Sequence, residues 1–271
     1  MSKAPFMLII CMFIAQSAFA QSYSQYFRLE NQDTVNFTFT VRKPDIKAID
    51  CYPQRITQIS KKGDNYEISL TTINPYLDGS KLAKMKEAKY DKSQKYDREI
   101  ARFLQSTPLI DTQNEHIRQI ADTLFKDDTQ TFVIIEKALK FVYSYLSPSD
   151  SIAKQIDAGT CRTVDVNTVI QTRKGTCSEY TNVFTALMRY MNIPTRFAVG
   201  YFNVPEWKAE STHAWPECYI EGAGWCAVDP TFPSYIGPHF AEIRMRYGID
   251  YEDCDIETLS YDIEPIEFTK R

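Results

Sequence analysis

The chain has no surplus of basic side chains: 31 Lys and Arg stand against 35 Asp and Glu, for a formal charge of -4 and a pI near 5.5. Nucleic acid and anionic membrane surfaces are held by clustered Lys and Arg, so nucleic acid is not an expected partner. Glycine and proline are sparse, 9 and 13 in 271 residues. No period of roughly twenty to fifty residues recurs either, which excludes collagen-like, low-complexity and solenoid architectures. The sequence contains no C-x-x-C, and its three histidines, His116, His213 and His239, lie far apart, so no zinc pattern forms. The acidic stretch 250–257 lacks the glycine and spacing of an EF-hand loop. No metal is expected.

Long apolar runs are missing after the first twenty residues. Lys3 precedes ten apolar residues, Phe6 to Ala15, followed by Ala18-Phe19-Ala20. Small residues at those two positions are what a signal peptidase reads, so residues 1–20 are expected to be a cleaved leader. Ten residues are too short for a hydrocarbon core of about 30 Å, so no membrane span is expected after cleavage. An exported protein, periplasmic or extracellular, follows from that leader. Export also changes how Cys51, Cys161, Cys177, Cys218, Cys226 and Cys254 are read, because disulfides persist outside the cytosol. Six cysteines allow three bridges, but a chain this long buries enough core to fold without staples, which leaves room for a thiol with a chemical role.

Residues 35–41, V-N-F-T-F-T-V, alternate apolar and polar as a half-buried strand must. Ile56 and Ile59 lie before a Lys62–Asn65 turn and Tyr66, Ile68 and Leu70 after it, the pattern of a hairpin. Residues 21–77 therefore read as a small β module. Residues 78–104 read as a charged linker or helix, with seven basic and three acidic side chains between Lys81 and Arg98. Beyond Pro108 the period becomes helical: one stripe runs from Ile117 to Phe125 and a second from Phe132 to Leu146. A third helix is expected near Gly175, where Thr176 and Glu179 form a T-x-x-E capping box ahead of Val183, Phe184, Leu187 and Met188. Three short runs at 196–202, 214–220 and 225–229 then read as antiparallel strands. The fold class is α+β. The boundaries expected are a domain over 105–240 and an acidic extension over 241–271.

Cys177 falls in the first turn of the third helix, where unpaired backbone N–H groups and the helix dipole favour an anion, here the nucleophilic thiolate. His213 opens one expected strand and Asp229 closes the next, so hairpin pairing can bring them together as proton acceptor and orienting carboxylate. Cys218 and Cys226 lie on those same two strands and could bridge. His116 and His239 have no comparable partners and read as structural.

The run G-T-C-S-E-Y-T-N-V-F-T-A-L-M-R-Y-M-N-I-P-T-R-F-A-V-G-Y at 175–201, H-A-W-P-E at 213–217 and G-W-C-A-V-D-P-T at 224–231 resembles the transglutaminase-like superfamily. The resemblance covers roughly 105–235 and implies a papain-like core in which a nucleophile helix packs on an antiparallel sheet. It implies Cys177 as nucleophile, His213 as general base and acid, and Asp229 as the orienting residue, with no cofactor. The short chain is closer to the exported bacterial branch than to the animal crosslinking enzymes, whose upstream oxyanion tryptophan has no counterpart before Trp207. The Cys177 N–H is one oxyanion donor, and the second is unassigned. Pro216 stands where the family has a residue able to donate to a strand ladder, which suggests an edge strand or a bulge. Trp215 and Trp225 read as packing around the imidazole. The expected activity is amide hydrolysis on a peptide, protein or envelope polymer, with crosslinking transglutaminase activity and an inactive binding or scaffold protein as alternatives. Oligomeric state is not legible.

Overall fold

The structure is a computed structural model, and it describes residues 34–73, 79–158, 160–202, 212–232 and 242–255. The leader expected over 1–20, Trp207 and His239 lie outside these residues.

The alternating segment forms β1, Thr34–Arg42, and the hairpin forms β2, Gln54–Lys62, and β3, Asn65–Ile73, turning at Gly63 with φ +64. A short helix α1, Ile46–Ile49, joins β1 to β2 and is capped by the Asp45 carboxylate. The sheet order is β1-β3-β2, all antiparallel. Phe37, Phe39 and Val41 of β1 and Ile68 and Leu70 of β3 point to one buried face, the outcome a period of two requires.

The charged stretch begins with α2, Gly79–Glu87, which buries only Met85. The chain then straps across the end of a later helix: the Tyr90 hydroxyl meets the Met191 sulfur at 3.9 Å, and the Tyr96 hydroxyl donates to the Asn192 carbonyl at 3.2 Å. A single turn, α3, Arg98–Ala101, leads to α4, Glu115–Leu124, and α5, Thr131–Tyr145, the two amphipathic helices the sequence marks. Two short helices follow that the periodicity did not reveal: α6, Asp150–Asp157, capped by Ser149, and α7, Val166–Thr172, capped by Asp165. Between α5 and the third stripe, β4, Ser147–Pro148, pairs in parallel with β5, Lys174–Gly175. The helix α8, Cys177–Tyr190, starts immediately after β5.

Every residue of α8 from Ser178 to Arg189 is buried. It packs against α4, α5 and α7 on one side and, on the other, against β6, Thr195–Phe202, and β7, Thr212–Ile220. Its last turn is pinned by Arg189, whose guanidinium donates to the carbonyls of Thr195, Gln105 and Ile249. Burial pulls that guanidinium down to about 9, with Asp250 pushing back. The sheet is completed by β8, Gly224–Ala227, and β9, Glu242–Gly248, in the antiparallel order β8-β7-β6-β9.

The strand β9 falls within the stretch set out as an acidic extension, yet it pairs with β6 from Phe197 to Phe202. It also joins the two sheets. The Gln54 side chain donates to Ile49 O and Arg244 O and accepts from Arg244 N, while Arg244 reaches back to Ala48 O. The β module and the helical region therefore share one continuous apolar core.

The edge strand or bulge suggested by Pro216 is corrected. β7 lies between β6 and β8, and its register with β6 is unbroken from Thr195↔Cys218 to Tyr201↔Thr212. Pro216 is tolerated because its carbonyl accepts from Val228 N at 3.0 Å, so its ring nitrogen faces the side where β8 has already ended at Ala227. The bulge in this sheet lies instead between β6 and β9, at Val199/Gly200. Cys218 and Cys226 are directly opposed across β7 and β8, and the six described cysteines carry thiols.

Candidate active site

The capping box is present as the sequence indicates: the Thr176 side chain accepts from the N3 backbone, and the Glu179 carboxylate accepts from Thr176 N at 2.7 Å. Glu179 is fully buried, and it also accepts from the Thr163 hydroxyl at 2.7 Å and Val164 N at 2.8 Å. Four donors satisfy a carboxylate sealed from water, which fixes the residue before Cys177. Gly175 is required here, because a Cβ at that position would lie 2.4 Å from the Glu179 Cβ. Cys177 thus occupies the first helical position, where its own N–H and that of Ser178 have no intrahelical acceptor and the helix end favours an anion.

His213 sits near the start of β7, opposite Gly200 of β6. Its Nε2 lies 2.8 Å from Asp229 Oδ2, with the imidazole 8% and the carboxylate 0% exposed. Burial alone would lower the imidazole pKa. The Asp229 charge and hydrogen bond outweigh it, the Cys177 side chain adds a further hydrogen bond, and together they hold His213 well above 6.5. With Nε2 engaged by Asp229, Nδ1 is the nitrogen left for the sulfur. The structure therefore brings Cys177, His213 and Asp229 together, although Asp229 follows β8 rather than ending it.

Asp229 has a partner that sequence reasoning missed. Its Oδ1 accepts from Thr231 N at 2.8 Å and from the Thr231 hydroxyl at 2.5 Å, so only Oδ2 is directed at the imidazole. The signal was local: an Asp followed two residues later by Thr is a side-chain-to-backbone turn. The imidazole also stacks on Trp215, with centroids 6.0 Å apart and planes at 23°. Trp225 does not share that role. It packs edge-on against Phe103 and Tyr219 and lies under the Arg196 guanidinium at 4.4 Å. His116 lies exposed in the first turn of α4.

Cys177 and His213 open into a single cleft of about 180 Å³. A sulfur at a helix N-terminus, a protonatable imidazole in contact with it and a buried carboxylate behind that imidazole can attack a carbonyl, protonate a leaving amine and later activate water.

The comparisons with known proteins concern family and fold. Residues 118–230 match the model of the transglutaminase-like superfamily. Over 88 residues the chain is 31% identical to the peptide-N(4)-(N-acetyl-beta-glucosaminyl)asparagine amidase of Drosophila melanogaster, covering 32% of this chain and only 12% of that relative. A crystal structure of a candidate cysteine protease from Cytophaga hutchinsonii superposes with a TM-score of 0.55 over 88% of this chain and 84% of that one. At 16% identity, that likeness concerns the fold alone.

Proposed function

From the match of residues 118–230 to the model of the transglutaminase-like superfamily, we propose that this chain is an exported thiol enzyme that hydrolyses amide bonds through a Cys177 acyl intermediate. The observation that carries the proposal is the 2.8 Å His213–Asp229 pair, buried behind a cysteine at the start of α8 and opening into the same cleft.

In the forward step, the Cys177 thiolate attacks the amide carbon and a C–S bond forms. The carbonyl electrons move onto oxygen beside the Cys177 N–H, then return as the C–N bond breaks. The imidazolium of His213 gives its proton to the departing amine. In the second step, His213 takes a proton from water, the hydroxide adds to the thioester carbon, and the carboxylic acid leaves as the thiolate and imidazolium are restored, then gives its own proton to solvent. Asp229 holds the ring so that Nδ1 faces the sulfur throughout. Water is the acceptor present in any aqueous compartment, and a peptide, protein or envelope polymer supplies the amide. Export rests on the leader expected over residues 1–20, and the N-terminal mass of protein recovered from its native compartment tests it.

The deciding experiment measures two rates. Iodoacetamide should alkylate Cys177 at pH 6 much faster than an ordinary exposed thiol, because only the thiolate reacts. Parity with an exposed thiol would remove the activated nucleophile. Amide hydrolysis should also exceed amine incorporation at moderate amine concentration; dominant amine transfer would make the protein a transglutaminase instead.

A further inference from the structure

The cleft beside the sulfur has an unusual wall for a site whose reacting pair is charged. Besides the reacting residues and their neighbours, it is built from Ala153 and Ile156 of α6, Val199 of β6, Ala214 of β7 and Tyr251 after β9. Among the described residues, the lining carries no carboxylate, ammonium or guanidinium.

The wall is fixed relative to Cys177. Ala153 and Ile156 are three apart on α6 and share a face. The residue capping that helix, Ser149, donates its N–H to Gly175 O at 3.0 Å, two residues before the sulfur. β4 and β5 add the parallel pairs Ser147↔Lys174 and Pro148↔Gly175. Across the cleft, Tyr251 is set edge-on to Phe197 of β6, with centroids 6.3 Å apart.

We infer that this cleft is a subsite for an uncharged aliphatic side chain on the acyl part of the substrate, the part that stays bonded to Sγ, so that the enzyme selects peptides bearing such a side chain. This deepens the proposed function and rests on it. A volume of about 180 Å³ corresponds to on the order of six waters at ~30 Å³ each. That suits a short branched side chain. Burying one aliphatic group is worth roughly 10- to 100-fold in binding, and a carboxylate or ammonium placed there would lose its hydration and meet no counter-charge other than the reacting pair, which it would disturb.

The test uses peptidyl chloromethyl ketones that differ only in the side chain next to the ketone: Ala, Leu, Asp or Lys. Cys177 displaces chloride and a C–S bond forms, so the second-order rate of alkylation reports the fit. The Leu probe should react at least about ten-fold faster than the Asp and Lys probes. In Ile156→Glu, the Lys-to-Leu rate ratio should rise about ten-fold or more, since a carboxylate then faces the cleft. Ala153→Glu, on the same face, gives the same readout if Ile156→Glu fails to fold. Iodoacetamide, which has no side chain, is run on every variant. If it labels Cys177 rapidly while the charged probes match Leu, or the Glu variants leave the ratio unmoved, the subsite is wrong and the nucleophile stands. If iodoacetamide shows no activated Cys177, the proposed function fails and this inference with it.

Discussion

Asp229 and Glu217 are both sealed from solvent, at 0% and 2% exposure, but they face partners of opposite character. Glu217 meets two guanidinium groups, Arg196 at 2.5 Å and Arg244 at 2.6 Å, neither of which can give up its proton. Burial pushes the Glu217 carboxyl up, and the two arginines overcome it and hold it near 2. Asp229 meets the His213 imidazole, which can gain or lose a proton and opens to the cleft. Trp215 touches both sites, stacking on His213 and donating its indole N–H to Glu217 at 3.4 Å. A carboxylate between permanent cations holds architecture, here the junction between β9 and the β module. A carboxylate behind a titratable ring next to a nucleophile can serve chemistry.

The sharpest break in this comparison removes the nucleophile. Cys177→Ala should reduce turnover to background and abolish any acyl-enzyme mass, with the fold retained, because the thiol is only partly buried. The next largest effect falls on the other carboxylate. Glu217→Gln leaves two buried guanidinium groups without their counter-charge and should cost about 3–5 kcal/mol of stability in urea unfolding. That contribution is present above the ordinary value of 4.5 and is lost as pH falls through about 2, so the difference from the parent should shrink in strong acid. A loss below 1 kcal/mol at pH 7 would mean that water or rearrangement compensates the cluster, and the contrast with Asp229 would weaken.

The contrast also explains which parts were legible from sequence. Local signals survived well. Thr176 and Glu179 gave the start of α8, alternation gave β1, and the order of Cys177, His213 and Asp229 gave the candidate site, because each depends on neighbours within a few residues or on one hairpin. β9 does alternate, with Ile243 and Met245 in the core and Arg246 between them and Tyr247, but the stretch reads as an acidic extension. What no local pattern shows is that Arg244 on its other face is buried too, received by Glu217, 27 residues earlier, and by the Ala48 carbonyl. Pro216 misled for a related reason. Whether proline is acceptable in a strand depends on where the neighbouring strand ends, and that is a fact of tertiary structure. α6 and α7 are too short for a convincing stripe, although Ser149 and Asp165 were available as cap signals.

A milder perturbation tests the functional side of the comparison. Asp229→Asn should preserve the fold and lower turnover by on the order of 10 to 10³, less than in a serine triad because a thiolate paired with imidazolium depends less on the orienting group. Its stability effect has a definite sign. Asp229 raises the folded imidazole above 6.5 against the pull of burial, so the pair stabilises the fold fully below that pH. The contribution fades as pH rises through the raised value. Thermal unfolding should therefore separate Asp229→Asn from the parent most near pH 6 and least in alkali. Full activity in the Asn variant from about pH 5 to 9 would reduce Asp229 to a turn residue and the site to a Cys177–His213 pair.

The smallest expected effect lies one bond further out. Thr231 supplies two donors to Asp229 Oδ1, the backbone N–H at 2.8 Å and the hydroxyl at 2.5 Å. Thr231→Val keeps the shape and the N–H but removes the hydroxyl, so the carboxylate loses one restraint on the oxygen turned away from His213. A hydrogen bond to a charged group is worth about 1.5–3 kcal/mol, and the retained N–H absorbs part of that loss. Turnover should fall roughly two- to ten-fold. The upper limb of the pH–rate profile should move to lower pH with it, since a less restrained Asp229 holds the imidazolium less firmly. Thr231→Ser restores the hydroxyl without the methyl group and should recover both the rate and the profile. If the Val variant lost stability but kept the parent's pH profile, or if Ser failed to rescue it, Thr231 would be packing the turn rather than aiming the carboxylate. The difference between the two buried acids would then rest on the imidazole alone.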